Sequence, residues 1–218
     1  MADLFLLLGT GLEWLGYVSA PLFLVPIGVL LATRFFAAPA TVLVAILDRV
    51  SGIALGGAIA LGLMMLFAQA GVVVARYVFG LSFSWLSELV TYGFAGLFLL
   101  GAAAALRDDG HVRVDILRER FSPKGRAAID LIGAYFFIFP ICLLIFWAAI
   151  SPSFVRAWMN FEGSRESDGL PLLFLFRTLI PAFAALLMAQ GLSQALKAAL
   201  ILRNERTADS LYAQGGGA

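Results

Sequence analysis

The sequence holds one cysteine, Cys142, and one histidine, His111, in 218 residues. A lone cysteine excludes a disulfide framework and a thiolate metal cluster. A lone histidine excludes paired-histidine metal motifs and leaves a Ser–His–Asp triad one candidate base. Charge is scarce as well: Asp, Glu, Lys and Arg make up 13% of the chain, about half the share usual in soluble domains. Fifteen Lys and Arg nearly cancel fourteen Asp and Glu, so no basic surface invites nucleic acid. No glycine pattern matches a dinucleotide-binding fingerprint or a P-loop. What the chain has in quantity is apolar surface. Hydrophobic residues reach 61% and the mean hydropathy is +0.95, which points to a small integral membrane protein with little equipment for chemistry of its own.

A helix needs roughly 20 apolar residues to cross about 30 Å of hydrocarbon. Five runs without Asp, Glu, Lys, Arg or His have that length: Trp14–Thr33, Val50–Ala75, Leu89–Leu106, Leu131–Val155 and Thr178–Leu196. A membrane barrel would show alternating segments of about ten residues instead. The expected fold is all-α, with four core membrane helices and an extra N-terminal one. Residues 1–47 form the extra helix and linker, 48–203 the four-helix domain and 204–218 a cytoplasmic tail. Lys and Arg favour the cytoplasmic side of short loops. The Arg107–Arg126 loop carries Arg107, Arg113, Arg118, Arg120, Lys124 and Arg126, whereas Ser151–Pro171 carries only Arg156 and Arg165. The first loop is therefore read as cytoplasmic, which puts Arg34, Arg49, Lys197, Arg203 and Arg206 inside and Arg76 outside. Trp14, Trp85, Trp147 and Trp158 then fall at the outer interface, where indoles prefer to sit. The N-terminus is external if all five segments span, and the C-terminus is cytoplasmic.

The first segment differs from the others in containing Pro21 and Pro26, with Glu13 at its outer end. Proline kinks a spanning helix, so a bent or surface-lying helix is the alternative there. A secretory signal does not fit, because Met1-Ala2-Asp3 brings no positive charge and the apolar stretch is too long. On the second segment Gly52, Gly56 and Ala60 form a small-residue ridge of the kind that admits another helix. Gly93, Gly96, Gly101 and Ala105 thin the third segment similarly.

The loop Arg107-Asp-Asp-Gly-His-Val-Arg-Val-Asp115 looks most like a site. Asp108, Asp109, His111 and Asp115 offer ligands for a hard or borderline cation. A turn at Asp108–Gly110 followed by a short amphipathic helix through Val114, Leu117 and Phe121, lying on the cytoplasmic interface, explains the same residues better. Glu88 and Asp130 are expected in the first turns of their helices, where the dipole favours a carboxylate. Arg177 is expected to snorkel to the outer interface, the alternative being a carboxylate partner such as Glu88. A homo-oligomeric channel would need a polar stripe, and the five runs hold no charge to build one.

The stretch Arg76-Tyr-Val-Phe-Gly-Leu-Ser-Phe-Ser-Trp-Leu-Ser-Glu88, an apolar helix, and then Asp109-Gly-His-Val-Arg-Val-Asp115 resemble the small membrane (Q-type) subunit of tripartite ATP-independent periplasmic (TRAP) transporters. The resemblance covers roughly Asp48 to Arg203. The later part, Asp168-Gly-Leu-Pro171 with Ile180-Pro181 and Gln190-Gly191, looks like the monocarboxylate, mannitol or chloroaromatic branch. The Trp14–Thr33 segment is extra relative to a minimal four-helix subunit. The resemblance implies a non-enzymatic scaffold without cofactor or metal in the bacterial inner membrane. Its implied partners are a large elevator-type membrane subunit holding the substrate and sodium sites, a periplasmic solute-binding protein and membrane lipids. Structural or interface roles then fall to Gly52, Gly56, Ala60, Arg76, Trp85, Glu88, His111, Asp115 and Arg177. The alternative is a small membrane metalloenzyme built on Asp108, Asp109, His111 and Asp115.

Overall fold

A computed structural model of the chain describes residues 23–108, 110, 121–150 and 152–203. Seven α-helices appear among them: α1 (Val25–Leu31), α2 (Thr33–Phe79), α3 (Ser84–Arg107), α4 (Pro123–Gly133), α5 (Phe139–Ala149), α6 (Pro152–Met159) and α7 (Leu173–Leu202). One π-helical turn, Ala134–Ile138, joins α4 to α5 without a break. It ends two residues before Pro140, which has no N–H to give the helical ladder, and a widened turn absorbs such a mismatch. Among the described residues, four helices are long and apolar enough to cross a membrane: Phe35–Phe79, Ser84–Arg107, Pro123–Ala149 and Leu173–Leu202.

These are the second to fifth segments of the sequence reading, with longer helices than their charge-free runs. Charged residues therefore fall inside helices. Asp130 stands well inside α4, and Glu88 lies in the second turn of α3, so the helix-dipole explanation lapses for both. Lys197, expected beyond the end of the last span, is an interior residue of α7. The fourth run ends sooner than expected, at Ala149, and Pro152 starts the separate helix α6. Of the first segment, the described part forms only α1, which stops at Ala32 and gives way to α2. Trp14 lies outside the described residues, as do the amphipathic stretch 111–120 and the tail 204–218. Asp48, where the sequence reading begins the core domain, sits within α2.

Helix α3 packs between α2 and α7, the α4–α5 helix packs on α7, and α1 contacts both α2 and α7. Burying one leucine on another gains little in a membrane, since lipid tails are equally apolar, so close helix approach carries more of the stability there. Gly93 and Gly96 supply that approach. A methyl built on Gly93 would lie 2.7 Å from Met65 Cβ and 2.9 Å from the Leu61 carbonyl oxygen, and one on Gly96 would strike the Leu61 side chain. Helix α2 stops at Gly80, which takes the left-handed conformation (φ 68°) that a side chain resists, while the Leu81 N–H returns to the Ala75 carbonyl at 2.9 Å.

The densest burial is at one end. From Gln190 to Ile201 every residue of α7 is buried. Val29 of α1, Ala40 and Val44 of α2, and Ala127 of α4 enclose it together. The helices alternate in direction, so Arg49, Arg107, Lys197 and Arg203 gather at this end. Arg76, Trp85, Glu88, Trp147, Trp158 and Arg177 gather at the other.

Candidate functional site

Two polar clusters stand out, one at each end of the helices. At the Lys197 end, Lys197 Nζ lies 2.8 Å from Asp48 Oδ2, with the lysine side chain 1% exposed. The other carboxylate oxygen, Asp48 Oδ1, accepts from Ser193 Oγ at 2.7 Å and Gln190 Nε2 at 3.1 Å. Ser51 Oγ donates to Gln190 Oε1 at 2.6 Å, which fixes the amide's orientation. Around this pair, Arg107 Nη1 donates to the Asp48 carbonyl at 3.3 Å and Gln194 Nε2 to the Leu106 carbonyl at 3.0 Å. Three spans, α2, α3 and α7, are thus tied at one level. Gln190, Ser193 and Lys197 recur at intervals of three and four, the spacing that puts residues on one helix face. The same spacing could have found the cluster in the sequence. The charge-free run Thr178–Leu196 masks it, because the run's boundary falls at Lys197.

At the opposite end the loop between α6 and α7 folds onto the start of α3. Glu88 accepts from the Leu170 N–H at 2.7 Å with Oε2, and from the Ser164 hydroxyl with Oε1. Asp168 Oδ2 accepts from the Ser84 N–H at 2.9 Å and so satisfies one of the open donors at the first turn of α3. Gly169 leaves room for this, since a methyl there would meet Ser164 and Glu88. Arg177 Nη2 pairs with Glu162 Oε1 at 2.9 Å. The alternative of a carboxylate partner is thus met, by Glu162 rather than Glu88. The residue it needed was on the loop, fifteen positions back. Aromatic contacts brace the same region: Tyr92 stacks on Phe176 at 4.6 Å, Trp158 meets Phe174 edge-on at 4.9 Å, and Trp158 Nε1 donates to Thr178 Oγ1 at 3.1 Å.

The Ser84 N–H holds the Asp168 carboxyl below the usual aspartate range. Its folded value is depressed, so the tie is present above the unfolded value and is lost as pH falls through the folded one. We expect carboxyl-carbon NMR of Asp168 to titrate below an aspartate in an unstructured peptide, and Asp168→Asn to abolish that titration. A midpoint at the ordinary aspartate value would contradict the hydrogen bond.

The remaining sequence-derived residues are spread along the helices. Gly52 faces inward, where a methyl would meet Arg107 Nη1 at 3.0 Å, whereas nothing lies within 4 Å of one built on Gly56. Gly56 and Ala60 are exposed, so the ridge is partly used inside the chain and partly open. Arg76 is exposed in the last turn of α2, and Trp85 lies against Phe83 at 6.1 Å. Asp108 is paired with Arg107 Nε at 2.7 Å, while Asp109, His111 and Asp115 lie outside the described residues. Among the described residues no three His, Cys, Asp or Glu side chains come together to hold a metal.

Comparison with protein families matches residues 63–200 to the model described as "Tripartite ATP-independent periplasmic transporters, DctQ component". The comparison with curated proteins gives no match, and the comparison with solved structures gives none. The matched stretch takes in the C-terminal third of α2 and all of α3 to α6, and reaches Leu200 in α7. It gives the metalloenzyme alternative no support.

Proposed function

The chain belongs to the DctQ component family of tripartite ATP-independent periplasmic transporters, and on that premise we propose that it is the non-catalytic scaffold of a sodium-driven importer of a small organic solute, a carboxylate. It anchors a large elevator-type membrane subunit that holds the solute and sodium sites, and a periplasmic solute-binding protein delivers the solute. The monocarboxylate, mannitol or chloroaromatic branch is the one its later residues resemble. The C-terminus is cytoplasmic on the strength of the basic Arg107–Arg126 loop.

The observation that supports this reading best is how the charges at the Lys197 end are used. Asp48 and Lys197 neutralise each other, and Ser193 and Gln190 complete the carboxylate's hydrogen bonds. Such groups mark an ion or substrate pathway when left open to one; here they hold three spans together. Rigidity is what a moving transport domain needs from its fixed neighbour.

The open half of the glycine ridge is a candidate contact with the large subunit. We expect Gly56→Leu to leave insertion and folding of the chain unchanged, since nothing lies near it, and to reduce co-purification of the large subunit. Undiminished co-purification would remove Gly56 from the interface. The function itself is tested by reconstituting both membrane subunits with the binding protein in vesicles under an imposed sodium gradient. Carboxylate uptake should require the gradient and this chain; uptake without the chain would refute the scaffold role.

A further inference from the structure

Charge is divided unevenly between the two ends of the helices. Among the described residues, the end opposite Lys197 carries Arg76, Arg156, Arg165 and Arg177 against Glu88, Glu162, Glu166 and Asp168, an even balance. The Lys197 end carries Arg49, Arg107, Lys124, Arg126, Lys197 and Arg203 against only Asp48, Asp108 and Asp130. Asp48 is taken by Lys197 and Asp108 by Arg107. The stretch 109–120 does not redress this, since its three arginines meet three carboxylates. The tail 204–218 adds one net negative charge, which Arg34 offsets. The Lys197 end is therefore left positive.

Two exposed members of that surplus, Lys124 and Arg203, stand where two helix ends meet. Gly191 of α7 lies opposite Ile138 and Phe139. Counting equal rises along the two antiparallel helices from there puts Arg203 level with Ala127. Burial agrees, for Ala127 shares the core with Leu200 and Ile201. Lys124 is one turn from Ala127, about 4.5 Å along the axis, and packed helices lie about 8–10 Å apart. Both long side chains can thus reach one small anion. Among the described residues neither has an ion-pair partner.

Depth selects the anion. Arg177 and Lys197 are twenty residues apart on α7, about 30 Å, the thickness of the hydrocarbon layer. Arg203 lies about 9 Å further along, at headgroup level. Lipid phosphates are fixed at that depth, and basic groups between span ends bind them. An acidic protein segment would have to enter the headgroup layer to reach the same place.

We propose that Lys124 and Arg203 form a binding site for the phosphate of an anionic phospholipid of the phosphatidylglycerol type, at the Lys197 end of α4 and α7. The lipid offsets the surplus charge and holds the two helix ends at headgroup depth. The site needs only the membrane spans and is independent of the transport role.

The test is native mass spectrometry of the full-length chain from micelles holding equal amounts of phosphatidylglycerol and phosphatidylcholine with matched acyl chains. The unaltered chain should retain phosphatidylglycerol preferentially. Lys124→Gln with Arg203→Gln should lower that preference about fivefold for each charge removed. Arg76→Gln with Arg165→Gln, which removes two exposed charges from the opposite end, should leave it intact. An undiminished preference in the first double variant would overturn the proposal. An equal loss in the second would reduce the preference to diffuse attraction and overturn it too. Displacement of the lipid by millimolar inorganic phosphate would assign the site to the free anion instead. Carbodiimide coupling of Lys124 to a protein carboxylate in native membranes would assign it to protein, and either result refutes the lipid. Should the first double variant not fold, the unaltered chain decides: phosphatidylglycerol retained no better than phosphatidylcholine contradicts the site.

Discussion

Replacing Lys197 with methionine is expected to cost about 3 to 5 kcal/mol of stability, the range for removing one member of a buried ion pair. The side chain is almost wholly enclosed and its ammonium group lies 2.8 Å from Asp48. Methionine fills much of the same volume, so the loss is electrostatic: the partly buried Asp48 carboxylate keeps Ser193 and Gln190 as hydrogen-bond donors but loses the cation in contact with it. Against a total stability of about 5 to 15 kcal/mol, that is a large fraction. The double substitution Asp48→Asn with Lys197→Met should cost clearly less than either single change, because no buried charge is left unmatched. Denaturation by sodium dodecyl sulfate in mixed micelles measures both. A single variant as stable as the parent would show that the pair does not hold the helices.

The second large effect concerns the seam between α2 and α3. Gly93→Leu should prevent the two helices from closing, since even a first carbon meets the Leu61 carbonyl and the Met65 backbone region at 2.9 and 3.2 Å. Those atoms belong to a continuous helix and cannot retreat without moving it. The neighbouring Gly96 makes a useful contrast. There the obstacle is the far end of the Leu61 side chain, which can change rotamer. Gly93→Ala should therefore destabilise by about 1 to 3 kcal/mol, the usual cost of overpacking, and Gly96→Ala by visibly less. Equal effects at the two positions would contradict the close approach at Gly93.

The apolar architecture was readable in the charge-free runs, because a spanning helix must satisfy its backbone internally and show lipid an uncharged surface. Their boundaries were not, since charges that find partners within the fold sit inside helices. Asp48, Lys197 and Glu88 all do so, which is why charge pattern alone marks each as a boundary or a cap. The glycine pattern on α3 pointed correctly to close packing, yet the α2 ridge of Gly52, Gly56 and Ala60 divides between an internal contact and an open face. That division depends on which way α3 approaches, which one helix's sequence does not encode. The rim cluster was half legible. Glu88 and Arg177 stood out as charges at the ends of apolar runs, but their partners Ser164, Leu170 and Glu162 come from an irregular loop without a periodic signature. The length of α2 was hidden by Asp48 and Arg49, which look like the end of a helix and instead lie within one.

The proposed role makes the chain one fixed part of a larger membrane assembly. Purification of the tagged chain from its native membrane in mild detergent, followed by mass determination of the intact complex, tests this most directly. The expected result is a one-to-one complex with a larger polytopic membrane protein, whose own polar sites then become the place to look for solute and sodium. A chain recovered alone or only with copies of itself, under conditions where its helices remain folded, would contradict the scaffold role.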